Sequence, residues 1–514
     1  MIGKVWYNVG VVFLPSGTKE DSMNRITRIL LIFMSILILS TVFVGCDAEV
    51  FDISEFYNSV DEDDDDDNAS EFFPDVQRNN YGEDLNIFMA PSTNVDQFYM
   101  DEDSNDGSPM DEAVFARQEK VQRFLGIEIV KVTDPNAQFH DYHKQVQQAV
   151  LNRDGSMDVV LTHVHGSVGM LISENLLVDL GELEGMDLSA EYWNSEFMAT
   201  LELNGCYFLG LSDYNLMHTY VIAFNKDMLA LYDSHLDKSI YDLVRDREWT
   251  LDELISLSNL VYVDKTGDGK TEDDTYGITG NCWVGFCGFL TSSDIPMLEQ
   301  DASGTYKVAI NQSKYFEKAD ELVTRLRELG SSNFAFFDYD YSKCSVPLTS
   351  GRSLMQVQST PSLTSMLAYD IDFGVLPYPM YDLNQANVGY KSLQWGGYIG
   401  VLTYLKNAKM VAESLELLAF YSENVKITFY EKLLGKQVAD MPDDADMLEI
   451  VWDSVTTDVG QTFITAGTTS NTGVCYTIPE LLWPTTTQNL ASYVKTKENA
   501  INTGFKKFLD EIKS

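Results

Sequence analysis

Basic side chains are scarce in this chain, where 35 lysines and arginines stand against 79 aspartates and glutamates and leave a net charge of −44 at neutral pH. Nucleic acid and anionic lipid surfaces are thereby excluded as partners, because both repel such a surface. Histidine and cysteine are also sparse, at six each in 514 residues, and no two cysteine pairs have the spacing of a zinc ribbon. A G-x-S-x-G elbow, a P-loop and a G-x-G-x-x-G turn in suitable context are missing, so nucleophilic and nucleotide chemistry lack a site and catalysis is not expected. No repeat of solenoid period is visible. What remains is a chain with 45% hydrophobic residues, long enough to bury a large core in more than one lobe. An acidic, soluble, monomeric binder of a neutral ligand fits these bounds.

One apolar run stands out, from Ile29 to Val44, preceded by Met23-Asn24-Arg25-Ile26-Thr27-Arg28 and followed by Gly45-Cys46. A basic segment leading into an apolar one reads as a signal peptide that starts at Met23, with residues 1–22 as an upstream extension. Sixteen apolar or small residues are short for a bilayer span, although a simple transmembrane anchor is the alternative. Asp61 to Asp67 follows, a run of seven acidic residues inside an aperiodic stretch, 46–83, that reads as a self-repelling, extended tether or as a calcium-collecting tail.

Beyond the tether, Leu85–Met89 is expected as a strand, Ala113–Leu125 as a helix, Glu128–Val132 as a strand, residues 141–152 as a helix and Met157–Leu161 as a strand. Strands alternating with helices predict an α/β fold with a parallel sheet. Ligands collect beyond the carboxyl ends of such strands, so the loops holding Ser92 and Asn94, and Thr162, His163 and His165, are expected to share one wall of a site.

Three signals then follow one another. Val221–Phe224 is an expected strand running into Asn225-Lys226-Asp227-Met228, with Asp227 as the helix cap. Trp249-Thr250-Leu251-Asp252-Glu253-Leu254 opens a helix through a capping box of Thr250 and Glu253. Asp264-Lys265-Thr266-Gly267-Asp268-Gly269 is a turn before the strand that begins at Asp274-Thr275-Tyr276-Gly277-Ile278. In this order the series resembles the extracellular solute-binding proteins, family 1, of ABC importers. Phe373-Gly374-Val375 through Pro379, Gln394-Trp395-Gly396-Gly397 and the helix Ala408 to Tyr421 extend the likeness, and Val44-Gly45-Cys46 is similar to a bacterial lipobox, with Phe43 where leucine is usual.

The resemblance implies a type II periplasmic-binding-protein-like fold of two α/β lobes, 84–220 with 372–425 and 221–371 with 426–514, joined by crossing strands near His218 and Phe373. It implies a carbohydrate ligand, an oligosaccharide by preference, ABC permease subunits as partners, and a lipid on Cys46 holding the chain to the extracytoplasmic face of the membrane. A peptide or polyamine receptor is the alternative within binding proteins.

Candidate ligand contacts are the residues named above together with aromatic groups beside glycines or strand ends: Tyr214, His218, Trp283, Trp395 with Gly396, and Trp483. A flat ring suits the apolar face of a sugar, although core packing accounts for such rings equally well. His163 and His165, two apart on an extended segment, present a second reading as a metal pair of a surface hydrolase. No resident cofactor is expected apart from calcium in an EF-hand-like loop of Asp264, Thr266, Asp268, Lys270 and Glu272, in which Thr275 stands where a bidentate glutamate belongs and Asp274 comes one residue early.

Overall fold

The structure is a computed structural model, described here for residues 73–512 except 92–108, 139–140, 164–165, 216–217, 268, 436–441, 458, 464–479 and 482–487. Ser92, Asn94, His165, Asp268, Trp483, Cys46 and the acidic run 61–67 lie outside the described residues.

The opening alternation forms the smaller of two sheets. β1 (Glu83–Met89) runs parallel to β2 (Ile127–Val132) on one side and to β3 (Val159–Leu161) on the other, and β13 (Ile399–Val401) adds antiparallel to β3. Parallel neighbours require crossovers, which the helices Pro109–Leu125 and His143–Asn152 supply. Alternate residues of β1 enter two different apolar clusters, Leu85, Ile87 and Met89 on one face and Phe88 on the other, so the last three residues of the strand are buried on both sides.

The larger sheet has the order β11-β4-β10-β6-β5, with β9 also pairing with β6, built from β4 (Tyr220–Asn225), β5 (Tyr262–Val263), β6 (Thr275–Asn281), β9 (Ala335–Asp338), β10 (Ser353–Ser359) and β11 (Phe373–Leu376). β10 and β9 are parallel to β6, whereas β4 is antiparallel to both β10 and β11. Two small ladders complete the strands: β7 (Leu298–Gln300) with β8 (Tyr306–Val308), and β12 (Ser392–Leu393) with β14 (Val455–Thr456). Two sheets, each flanked by helices, make the two lobes of the expected fold.

Local chemistry explains the elements that the sequence flagged. Thr250 Oγ1 accepts from the Glu253 N–H at 3.4 Å and starts the helix Leu251–Ser258, which buries Leu251, Leu254 and Leu257. The cap expected at Asp227 falls on Asn225, whose Oδ1 accepts from the Met228 N–H at 2.8 Å; Asp227 instead lies in the first turn, where its charge suits the helix N-terminus.

The later passages differ from the boundaries expected at 372 and 425. β11 remains in the larger sheet, because its four buried residues pair with β4 and are covered by the helix Pro442–Asp453. That helix is held by a buried carboxylate: Asp444, 3% exposed, lies 2.6 Å from Lys226 Nζ and accepts from the Tyr241 hydroxyl at 2.8 Å. The helix Glu423–Gly435, by contrast, packs against Pro109–Leu125 on the side of the smaller sheet. Among the described residues up to Asp453, the chain therefore passes between lobes before β4, between β11 and β13, and between these last two helices.

Candidate functional site

The first two passages meet as backbone. Thr219 sits opposite Gln394 in an isolated antiparallel bridge, the Trp395 N–H donates to the His218 carbonyl at 2.7 Å, and Thr219 Oγ1 donates to the Leu393 carbonyl at 2.7 Å. The third joins through β12 and β14, with the Gln394 N–H donating to the Thr456 carbonyl at 2.9 Å. Gly396 is required at this crossing, since a β-carbon there would lie 2.8 Å from the His218 β-carbon.

This meeting point gathers the side chains. His163, leaving the end of β3, has its ring 6.3 Å from Trp395 and edge-on to it at 83°. Tyr220 meets Trp395 at 5.6 Å, also edge-on, and the His218 ring stacks on Tyr220 at 6.5 Å and 23°. Thr162 fixes the end of β3 against the β13 segment, donating its N–H to the Tyr398 carbonyl at 2.8 Å and accepting the Tyr398 N–H on Oγ1 at 3.2 Å. Of the sequence candidates, Thr162, His163, His218, Trp395 and Gly396 thus come together at the junction of the lobes.

Burial sets the electrostatics. It pushes the His163 imidazole down to about 4, and it pushes His218 down to about 3 with a smaller contribution from the neighbouring His163. Both rings are neutral at neutral pH, and no other side chain named in the cluster carries a charge there. The site offers π faces and uncharged hydrogen-bonding groups, a set that suits a neutral ligand rather than an ion.

Two candidates stand elsewhere. Tyr214 is 1% exposed, with the Arg117 guanidinium 4.7 Å from its ring centre, so it belongs to the core of the smaller-sheet lobe. Trp283, half-buried at the start of the helix Val284–Ser292, meets Tyr339 edge-on at 5.9 Å. Tyr339 and Tyr341 follow β9 and are 36% and 56% exposed, the latter interacting through its hydroxyl with that of Tyr220. The larger-sheet lobe therefore carries an open aromatic edge that continues from the buried cluster. Tyr220, Tyr339 and Tyr341 escaped sequence reasoning; the strand-end rule applied to His163 would have found the last two.

The acidic loop is organised from within. Asp264 Oδ1 accepts the N–H groups of Thr266 and Gly267 at 3.2 and 2.6 Å. Lys270 Nζ donates to the carbonyls of Gly330, Ser332 and Ala335, which ties the loop to the following helix and strand. Asp274, fully buried, accepts from the N–H groups of Lys265 and Thr271 at 2.8 and 3.0 Å, which explains why the carboxylate sits one residue before the calcium-loop position. Burial alone would raise its pKa, yet these donors hold it below the usual carboxylate value. Glu272 presents its carbonyl to Arg352 at 2.8 Å. Among the described residues no three His, Cys, Asp or Glu side chains are grouped to hold a metal, and no disulfide joins the described cysteines Cys206, Cys282, Cys287 and Cys344.

No protein-family model matches the chain, and no curated protein does. Solved structures match. The maltose/maltodextrin-binding domain MalE from Bdellovibrio bacteriovorus, bound to maltotriose, has a TM-score of 0.54 at 15% identity, over 81% of this chain and 99% of that one. The GacH receptor of Streptomyces glaucescens GLA.O, solved unliganded and with acarbose, has 0.52 at 15% identity, over 84% and 99%. The ABC substrate-binding protein Lmo0181 from Listeria monocytogenes, in complex with cycloalternan, has 0.52 at 12% identity, over 82% and 98%. At these identities the likeness is one of fold, and it agrees with the two sheets and their crossings: the chain has the two-lobed architecture of the type II periplasmic binding proteins.

Proposed function

We propose that the protein is a carbohydrate receptor of an ABC importer, anchored outside the cell by a lipid on Cys46, which captures an oligosaccharide between its lobes and presents it to a permease. The observation that carries this reading is the uncharged group of His163, His218, Tyr220 and Trp395 at the junction of the lobes, continued by exposed Tyr341 on the larger-sheet side. Aromatic faces accept the apolar side of a sugar ring, and neutral polar groups accept its hydroxyls. A ligand drives closure only if it binds the closed form better than the open one, which a sugar touching both lobes does. Maltotriose, acarbose and cycloalternan in the structures of like fold support the same class. No helix among the described residues is long and apolar enough to cross a membrane.

Thermal denaturation with maltotriose and a panel of other oligosaccharides, with and without EDTA, tests it. Ligand at 100 times Kd adds about 2.7 kcal/mol, which for a domain of this size raises Tm by about 3 °C. A sugar-dependent rise indifferent to EDTA is expected. Stabilisation by spermidine or peptide alone would favour the rival receptors, and stability that depends on zinc would favour a hydrolase using His163 and His165.

A further inference from the structure

Two side-chain nitrogens at the lobe junction lack a hydrogen-bond partner among the described residues, Nε2 of His218 and Nε2 of Gln394. Their residues are 4% and 0% exposed, so bulk water does not satisfy either. The orientation of the Gln394 amide is fixed, because its Oε1 accepts the His218 backbone N–H at 2.9 Å. The NH2 group is therefore turned to the other side of the amide, where it lies 2.9 Å from the place a β-carbon would take on Gly396. A β-carbon there would also press on the His218 β-carbon at 2.8 Å, so only glycine fits beside the amide.

A buried amide donor left without an acceptor costs more than an ordinary hydrogen bond is worth, so a structure retains one where something else completes it. The chemistry of the pair narrows what that is. An amide NH2 only donates, whereas a neutral imidazole nitrogen donates or accepts according to its tautomer. A cation is repelled by the first. An anion finds no compensating charge among the named side chains of the cluster. A hydroxyl oxygen accepts from the amide and serves the imidazole in either direction, and a sugar carries several in a row.

We propose that Gln394 Nε2 and His218 Nε2 are hydrogen-bonding points for hydroxyls of the bound sugar, so that the crossing between the lobes itself reads the ligand. This rests on the receptor reading above. It adds a specificity role for Gln394 and ties binding to the two passages that move relative to each other when the lobes close.

Calorimetric titration with maltotriose and its monodeoxy derivatives tests the proposal on wild type, Q394M, which keeps the length of the side chain, and H218F, which keeps a ring against Tyr220. Each variant is expected to bind maltotriose about 10-fold or more weakly. The hydroxyl whose removal weakens wild type by a similar factor is expected to cost Q394M nothing further. Variants that bind as wild type does, with every deoxy sugar penalised equally, overturn the proposal, leave a resident water only on these nitrogens, and leave the receptor reading intact. Wild type that binds no maltotriose overturns the proposal together with that reading for this sugar. Should Q394M fail to fold, H218F with the same deoxy series decides.

Discussion

Gly277→Ala is expected to destabilise the larger-sheet lobe by more than about 4 kcal/mol, enough to leave much of the expressed protein unfolded. Gly277 lies in β6, where its N–H donates to the Phe334 carbonyl at 2.9 Å, and its α-carbon faces the last turn of the helix Leu251–Ser258. An added β-carbon would stand 1.9 Å from the Ser258 carbonyl oxygen and 2.5 Å from the Ser258 carbonyl carbon and α-carbon. All three atoms are backbone, so no rotamer change relieves the contact. Either the helix lifts from the sheet, exposing Leu254 and Leu257, or β6 leaves its ladder. Gly285→Ala, one helix onward, is the control: its nearest neighbours lie 3.7 Å away on Phe337 and Val357, and alanine within a helix gains up to about 1 kcal/mol over glycine. Urea denaturation of both variants checks the contrast, and a G277A protein within 1 kcal/mol of wild type would show that the strand and helix are not in this contact.

Acidification is expected to weaken the fold through the two histidines of the junction. His163 and His218 are neutral in the folded protein down to about 4 and about 3, whereas in the unfolded chain each takes up a proton near the ordinary value of 6.5. The unfolded state therefore binds more protons between those limits. Their contribution to stability is fully present above pH 6.5 and is lost as pH falls from there toward 4, because each depressed pKa lies below its unfolded value. By pH 4 the loss reaches roughly 3 kcal/mol for each ring. Carboxylates elsewhere titrate in the same range, so the informative quantity is the difference from H163N, H218N and the double variant. Each replacement is expected to flatten the fall between pH 6.5 and 4, the double variant most. Identical pH profiles would mean that both rings are solvated enough to protonate in the folded state.

The fold was legible where period and capping coincide. Leu251, Leu254 and Leu257 behind a Thr250 cap left one arrangement open, and the helix lies where that pattern puts it. A strand buried on both faces, β4, announced itself by an apolar run without alternation. The return passage was harder to place. Phe373-Gly374-Val375-Leu376 is equally apolar in either sheet, and only its pairing with β4 beneath the helix Pro442–Asp453 assigns it. That helix is fixed by Lys226, 218 residues earlier in the chain, a contact with no local signature.

The site was legible in the same uneven way. His163 and Trp395 stood at strand ends or beside glycines, positions with a physical reason to line a junction. Tyr214 met the same local test and is core, because the Arg117 that covers it comes from a distant helix. Gln394 carried no signal, since an orphaned amide is visible only once the partner of its other half is known.

Fluorescence titration with maltotriose, comparing wild type with Trp395→Phe, tests most directly whether the junction of the lobes is where a neutral sugar binds. Trp395 is 8% exposed and in ring contact with both His163 and Tyr220, so a sugar seated there changes its surroundings. The expected result is a saturable change in wild type that is lost or reversed in sign in W395F, with binding weakened. The same change at the same midpoint in W395F, or none in either protein, contradicts the account.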